Sequence, residues 1–299
     1  MKPSYHFLFI AAFILFDHTA IAQNGIVVIQ TDFGVKDGAV AAMKGVAMQA
    51  DKNLKLFDLT HEIPAYNIWE AAFRLDQVAQ YWPAGTVFVS VVDPGVGSER
   101  KSIVLHTRSG HYFVGPDNGS FTLVAERLGI KAVREIDEKV NRLPGSDSSY
   151  TFHGRDVFAY TAARLAARKI SYAQVGPLLP ARVIMLPYQQ PLLEGGVLKG
   201  AITVLDVQYG NVWSNIDAAL LNKAGIAIND TVQARIYHNQ TLIYTGRMPY
   251  VHTFSDVAEG RPLAYLNSRL QLSLALNMGN FAATYKIESG GEWRMEVAK

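Results

Sequence analysis

Five polar clusters in the first half of the chain carry residue types that can move protons or bind a polar ligand: TDFG (31–34), LTHEI (59–63), DPGVGSER (93–100), PDNG (116–119) and TFHGRD (151–156). DPGVGSER is the richest of them. Asp93 can accept a proton, Arg100 can fix a carboxylate by its positive charge, and the Pro and Gly between them are turn formers. Asp32, His61 and His153 add a second carboxylate and two imidazoles. Such a set suits general acid–base work, and Asp32, Asp93, His61 and His153 are also hard-metal ligand types. Each has a plain structural use as well. Asp32 could cap a helix, His61 could be a satisfied buried histidine, PDNG is a turn sequence, and Asp156 suits a helix N-terminus.

The surrounding pattern says where these clusters lie. From Ile26 to about Pro180, β-branched runs alternate with helix-period segments: IVVIQ then DGAVAAMKGVAMQA, and LKLFDLT then IWEAAFRLDQVAQYW, stopped by Pro83. VFVSVV and SIVLH follow, then a helix near Thr122–Leu128 and another in DVFAYTAARLAARK. This alternation predicts an α/β domain over residues 23–188, Rossmann-like, with a mostly parallel sheet. In such a sheet ligands sit at the carboxyl ends of strands, where the polar clusters fall. After the proline-rich stretch PLLPARVIMLPYQQPLLEGG the rhythm changes to short, β-rich segments separated by turn residues. LKGAITVLDV, NVWSN, TVQARIYHNQTLIYTG, LAYLNSR, LQLSLAL and EWRMEVA predict an all-β barrel domain over residues 189–299.

Composition narrows the chemistry. A net charge of +2 over 299 residues, with no Lys/Arg run, gives no reason to expect a nucleic-acid partner. The chain has no cysteine, which excludes disulfides, thiolate metal sites and a cysteine nucleophile. There is no G-x-G-x-x-G after the first strand, no P-loop and no G-x-S-x-G elbow. No HxH, HExxH or DxD pair offers a local chelate, although a metal-dependent phosphohydrolase stays open as an alternative. At the N-terminus, Lys2, the apolar run Phe7–Phe16 and Ala20-Ile21-Ala22 read as a signal peptide over residues 1–22. An exported, periplasmic or secreted protein is expected, with no membrane association after its removal.

TDFGVKDG with AAMKGV, then LTHEIP, AAFRL, GTVFVSVVDPGVGSER, PDNG and TFHGRDVF, resemble in order and spacing the S-adenosylmethionine hydroxide adenosyltransferase family, a relative of the bacterial fluorinases and chlorinases. DVQYGNVWSNI and YLNSRLQLSLALNMG extend the resemblance through the second domain. It implies a homotrimer whose active sites lie between one subunit's first domain and its neighbour's second. It further implies attack of water on the ribose C5′ of S-adenosyl-L-methionine, giving adenosine and L-methionine with no cofactor. The family's catalytic triad matches Asp93, Arg100 and His153, and either Asp93 or His153 could take the proton. By the same resemblance Asp32 binds the ribose hydroxyls, Asp206 the methionine ammonium and Asn211 the adenine edge, while Phe254 stacks on the base. Ser268 and Arg269 hold the methionine carboxylate, and Met278 completes the substrate-binding set. Halogenating relatives lack the aspartate, so Asp93 beside His153 implies water rather than halide as nucleophile. An exported protein that binds adenosine or adenosylmethionine without turnover is the remaining alternative.

Overall fold

The computed structural model describes residues 23–299; the predicted signal peptide falls on residues 1–22 and so lies outside the described residues. The apolar, β-branched runs of the first half form β1 (Ile26–Thr31), β2 (Lys55–Thr60), β3 (Val87–Val91), β4 (Ser102–Thr107), β5 (Tyr112–Pro116), β6 (Ile130–Glu135) and β7 (Leu178–Leu179). They make one seven-stranded sheet in the order β2-β1-β3-β5-β4-β6-β7. β1 pairs in parallel with β2 and β3, and β3 with β5. β4 is antiparallel to β5 and β6, because only the short turn after Thr107 joins β4 to β5 and a parallel return needs a long crossover. β3, β4 and β5 are buried along their whole length, as continuous apolar runs in a two-faced sheet should be.

Helices cover both faces. They are α1 (Ala39–Ala50), α2 (Ile68–Val78), α3 (Thr122–Leu128), α4 (Glu138–Asn141) and α5 (Tyr160–Ala166). Met43 and Ala47 of α1 and Ala162 and Leu165 of α5 pack with Val89 and Val114 on one face. Leu75 of α2 and Val124 of α3 pack with Phe88 and Phe113 on the other. Asn67 caps α2 by accepting from the Glu70 backbone N at 2.9 Å. The segment expected to be one regular helix after His153 opens instead as a π-helical turn, Gly154–Ala159, before α5 begins. π-turns are rare and cluster at functional sites.

The second half forms β8 (Leu192–Glu194), β9 (Val197–Leu205), β10 (Val212–Asp217), β11 (Thr231–His238), β12 (Thr241–Pro249), β13 (Pro262–Leu266), β14 (Gln271–Leu276) and β15 (Trp293–Ala298), with α6 (Ala218–Lys223) and α7 (Phe281–Tyr285) between them. The strand path is β12-β11-β15-β9-β10-β14-β13, with β8 on β9. A bridge between Tyr250 and Ala264 links the two ends of this path, so the antiparallel sheet is nearly closed into a barrel. Val232, Ile236, Leu272, Leu274 and Met295 fill its interior. Two buried ties join it to α2: Trp69 Nε1 donates to the Thr203 carbonyl at 2.8 Å, and Arg269 Nη2 reaches Asp76 Oδ2 at 2.6 Å. Among the described residues no helix is long and apolar enough to cross a membrane.

Candidate active site

β1 is flanked by β2 on one side and β3 on the other, so the chain reverses its winding between β1 and β3. Open α/β sheets bind ligands at such a switch, beyond the strand carboxyl ends. Asp32 follows β1 and Asp93 lies two residues beyond β3, and the Asp32 backbone N is 3.4 Å from the Val91 carbonyl. The two carboxylates therefore meet at one end of adjacent strands. They line, with Phe33, Tyr66, Val96 and His153, a cavity of about 230 Å³.

The loop 93–100 is a chain of tight turns. The Val96 N–H donates to the Asp93 carbonyl at 3.2 Å, the Ser98 N–H to the Gly95 carbonyl at 3.0 Å, and the Ser98 hydroxyl to the same carbonyl at 2.6 Å. Gly97 sits at φ +78°, where a Cβ would also stand 3.2 Å from the Tyr150 carbonyl, so glycine is required there. These turns bring Arg100 back onto Asp93. Nε lies 3.0 and 3.1 Å from the two carboxylate oxygens and Nη2 lies 2.6 Å from Oδ2, a fork in which side-chain exposure is only 10% and 4%. Arg100 also lies over the Phe158 ring, 5.3 Å from its centroid.

His153 enters from the other side. It precedes the π-helical turn, and Gly154 lets that turn press on β3: a Cβ there would be 3.0 Å from Val91 Cγ1 and 3.4 Å from the Phe33 ring. The imidazole is buried, with Nδ1 2.9 Å from Arg100 Nη2 and Nε2 3.2 Å from Arg142 Nη2. Burial holds it below the usual histidine range, as do the two guanidinium groups, against the opposing pull of Glu138 and Asp93. Asp32 Oδ2 accepts from the Tyr66 backbone N at 2.9 Å, and Tyr66 adopts φ 67°, a strained value for a residue with a Cβ.

His61 is the buried, satisfied histidine of its plain reading. Its Nδ1 meets the Thr31 hydroxyl and its Nε2 meets Asp58, both at 2.9 Å, while its carbonyl accepts from the Gly34 N–H at 2.7 Å. It braces the turn that carries Asp32. Among the described residues no group of three or more His, Asp or Glu could hold a metal ion. Asp32, Asp93, Arg100 and His153 are thus brought together within one chain.

The residues of the second half stand elsewhere. Asp206 and Asn211 close one turn, through a backbone bond of 2.8 Å and a side-chain contact of 3.5 Å. Phe254 lies on Tyr265, Ser268 is exposed, and Met278 is 83% exposed. Arg269 gives Nη2 to Asp76, and its Nη1 is buried without a hydrogen-bond partner among the described residues. None of these six lines the cavity at Asp93. Two further polar side chains that no short motif marks attach to this pair, Ser102 to Arg100 and Arg142 to His153, and Glu138 bonds to both of them.

Residues 27–176 match the model of the SAM hydroxide adenosyltransferase N-terminal domain, and residues 200–294 that of the C-terminal domain. A protein of Methanocaldococcus jannaschii named (R)-S-adenosyl-L-methionine hydrolase is 48% identical over 144 residues, a match that spans 47% of this chain and about half (52%) of that protein. One of the same name from Salinispora tropica is 35% identical over 267 residues, 89% of this chain and 95% of that protein. A fluorinase of an Actinoplanes species is 28% identical over 89% of this chain and 96% of its own. Among solved structures, an uncharacterized conserved protein from Thermotoga maritima superposes with a TM-score of 0.82 at 32% identity, covering 91% of this chain and all (100%) of that one.

Proposed function

The chain belongs to the SAM hydroxide adenosyltransferase family, and on that premise we propose that it hydrolyses S-adenosyl-L-methionine to adenosine and L-methionine, with Asp93, Arg100 and His153 handling the attacking water. The observation that carries the proposal is the buried Arg100 fork on Asp93, with His153 against the same guanidinium, at the wall of the cavity that also holds Asp32.

The reaction asks little beyond this. A water oxygen bonds to C5′ as the C5′–S bond breaks, and the bonding pair stays on sulfur, which leaves the sulfonium as a neutral thioether. The leaving group needs no proton and builds no negative charge for a metal to neutralise. What is left is to hold one water in line with the C5′–S bond, take its proton, and keep other waters out. Asp93 or His153 takes the proton, and Arg100 favours hydroxide character by its charge. Asp32 holds the ribose hydroxyls, with its second oxygen fixed by the Tyr66 N–H. A carboxylate at the nucleophile position repels fluoride or chloride and accepts a hydrogen bond from water, which favours hydrolysis over the reaction named for the fluorinase relatives.

We further infer that a neighbouring copy in a homotrimer completes the site, presenting Asp206, Asn211, Phe254, Ser268, Arg269 and Met278 to the methionine and adenine ends of the substrate. The exposure of Phe254 and Met278, and the distribution of these six away from the Asp93 cavity, support that reading. Export directed by residues 1–22 is part of the proposal, and for an exported enzyme a related adenosyl sulfonium is an alternative substrate.

The test is turnover of S-adenosyl-L-methionine by the purified protein in ¹⁸O-water with EDTA. Label in the 5′-hydroxyl of adenosine is expected. Unlabelled adenosine, or none, rejects the proposal, and loss of activity to the chelator turns the reading to metal-assisted hydrolysis.

A further inference from the structure

Behind His153 the polar side chains close a ring. Arg100 Nη2 stands 2.9 Å from His153 Nδ1, and Arg142 Nη2 stands 3.2 Å from Nε2. The same Arg142 nitrogen donates to Glu138 Oε2 at 2.6 Å, while Glu138 Oε1 accepts from the Ser102 hydroxyl at 3.3 Å. Ser102 Oγ in turn accepts from Arg100 Nη1 at 2.7 Å. Glu138 thus spends one carboxylate oxygen on each arm of the ring.

The ring is built on fixed backbone. Glu138 opens α4, whose N-cap Asp137 accepts from the Lys139 N–H at 3.1 Å, and Arg142 follows α4 directly. Arg142 Nη1 also holds the next loop, donating to the Ser149 carbonyl at 3.0 Å and to the Ser146 carbonyl at 3.3 Å. On the other side, Ser102 is the first residue of β4.

A guanidinium can only donate. A neutral imidazole accepts at one nitrogen, so one of the two contacts to His153 is an N–H···N hydrogen bond; an imidazolium accepts at neither and would add a third positive charge beside two. The charged groups that face the ring are Arg100 and Asp93 from the loop after β3, Glu138 from α4 and Arg142 just beyond it. Arg155, on the same turn as His153, is paired with Asp156 at 2.7 Å.

We propose that Glu138 and Arg142 are positioning residues of this site: Arg142, oriented by Glu138, keeps His153 uncharged, and Glu138, through Ser102, holds Arg100 in the rotamer that forks onto Asp93. The water proton then goes to Asp93. In the step, the water O–H breaks toward a carboxylate oxygen of Asp93 as O–C5′ forms and C5′–S breaks with its pair on sulfur. The catalytic consequence rests on the hydrolase reading, whereas the charge state of His153 does not.

The experiment therefore has two readouts. The imidazole of His153, assigned by its loss in His153→Asn, is titrated by NMR in the wild type, R142M and R142K, and kcat and KM are measured against pH in the same proteins. Wild-type His153 should titrate below the ordinary histidine value of about 6.5, and R142M should move its titration up toward that value. In R142M kcat should fall roughly tenfold below that pH with KM nearly unchanged, short of the 10²–10⁴-fold attached to a proton-transferring group itself. R142K, which keeps the charge, should restore the neutral ring. An ordinary titration of His153 in the wild type, or an R142M protein whose titration and pH–kcat profile match the wild type, overturns the proposal. If no protein turns over S-adenosyl-L-methionine the hydrolase reading fails, and the NMR titration alone still decides the charge of His153. If R142M does not fold, Ser102→Ala cuts only the link to Arg100: a kcat loss of about tenfold at constant KM supports the ring, and an unchanged kcat overturns it.

Discussion

Asn118 props the carbonyl of Val92, the residue before Asp93: its side-chain amide donates to that oxygen at 2.9 Å, while its own oxygen accepts from the Ser120 N–H at 3.2 Å. The PDNG turn is thus a brace for the DPGVGSER loop. Asn118→Ala should cost about 1–2 kcal/mol locally through the orphaned carbonyl. Because the brace acts on the position of Asp93 and touches no other part of the cavity wall, kcat should drop while KM and the affinity for adenosine change little. Equal losses in kcat and adenosine affinity would place Asn118 in substrate binding instead.

Asp93→Asn keeps the shape of the side chain and removes its charge. Arg100 loses its counter-ion and, under the proposed mechanism, the attacking water loses its acceptor, so turnover should fall by about 10²–10⁴-fold. Adenosine affinity, measured by calorimetry, should remain close to wild type, since the proposal gives the ribose contacts to Asp32. A parallel collapse of binding would mean that the Asp93–Arg100 pair only braces the loop.

Much of this arrangement is legible in the chain. Apolar runs ending in Asp32 and Asp93 mark strand carboxyl ends, and alternation with helical segments puts those ends at one edge of a sheet. The reversed direction of β4 was harder to read, because β-propensity carries no direction and only the short link to β5 forces it. Glu138 and Arg142 stand at an ordinary i,i+4 spacing, while their site partners are Ser102, dozens of residues earlier, and His153, on the next loop, and no local pattern encodes either approach. Likewise Arg269 meets Asp76 across 193 residues. The π-turn after His153 leaves no periodic signal over a single turn, though Gly154, where a side chain would strike β3, is its one trace.

Asp76 lies between two arginines, with Arg269 Nη2 at 2.6 Å and Arg127 Nε at 2.8 Å, and Asp76 and Arg269 are almost fully buried. Removing the carboxylate in Asp76→Ala leaves a buried guanidinium over Phe73 with no counter-ion. The cost should be about 3–5 kcal/mol, seen as a lower urea midpoint. Asp76→Asn, which keeps two acceptor lone pairs, should lose less. If both variants unfold at the wild-type midpoint, the barrel is held to α2 by Trp69 and apolar packing alone.

His106 supplies an acid-sensitive element far from this chemistry. It is buried in β4, stacked on Tyr112 with centroids 4.3 Å apart. Burial, helped by the charge of Lys131, lowers its pKa from 6.5 to about 4. Between those values the unfolded chain binds the proton and the folded one does not, so stability rises with pH across the window. The contribution is complete above about pH 6.5 and is lost as pH falls toward 4, on the order of 3 kcal/mol in all and about 2 kcal/mol by pH 5. His153, also lowered by burial, acts in the same direction. His106→Phe keeps an aromatic face for Tyr112 and removes the titrating group. Urea midpoints taken at pH 7 and pH 5 should therefore fall less in His106→Phe than in the wild type, and an equal fall in the two proteins would assign the acid sensitivity to other groups.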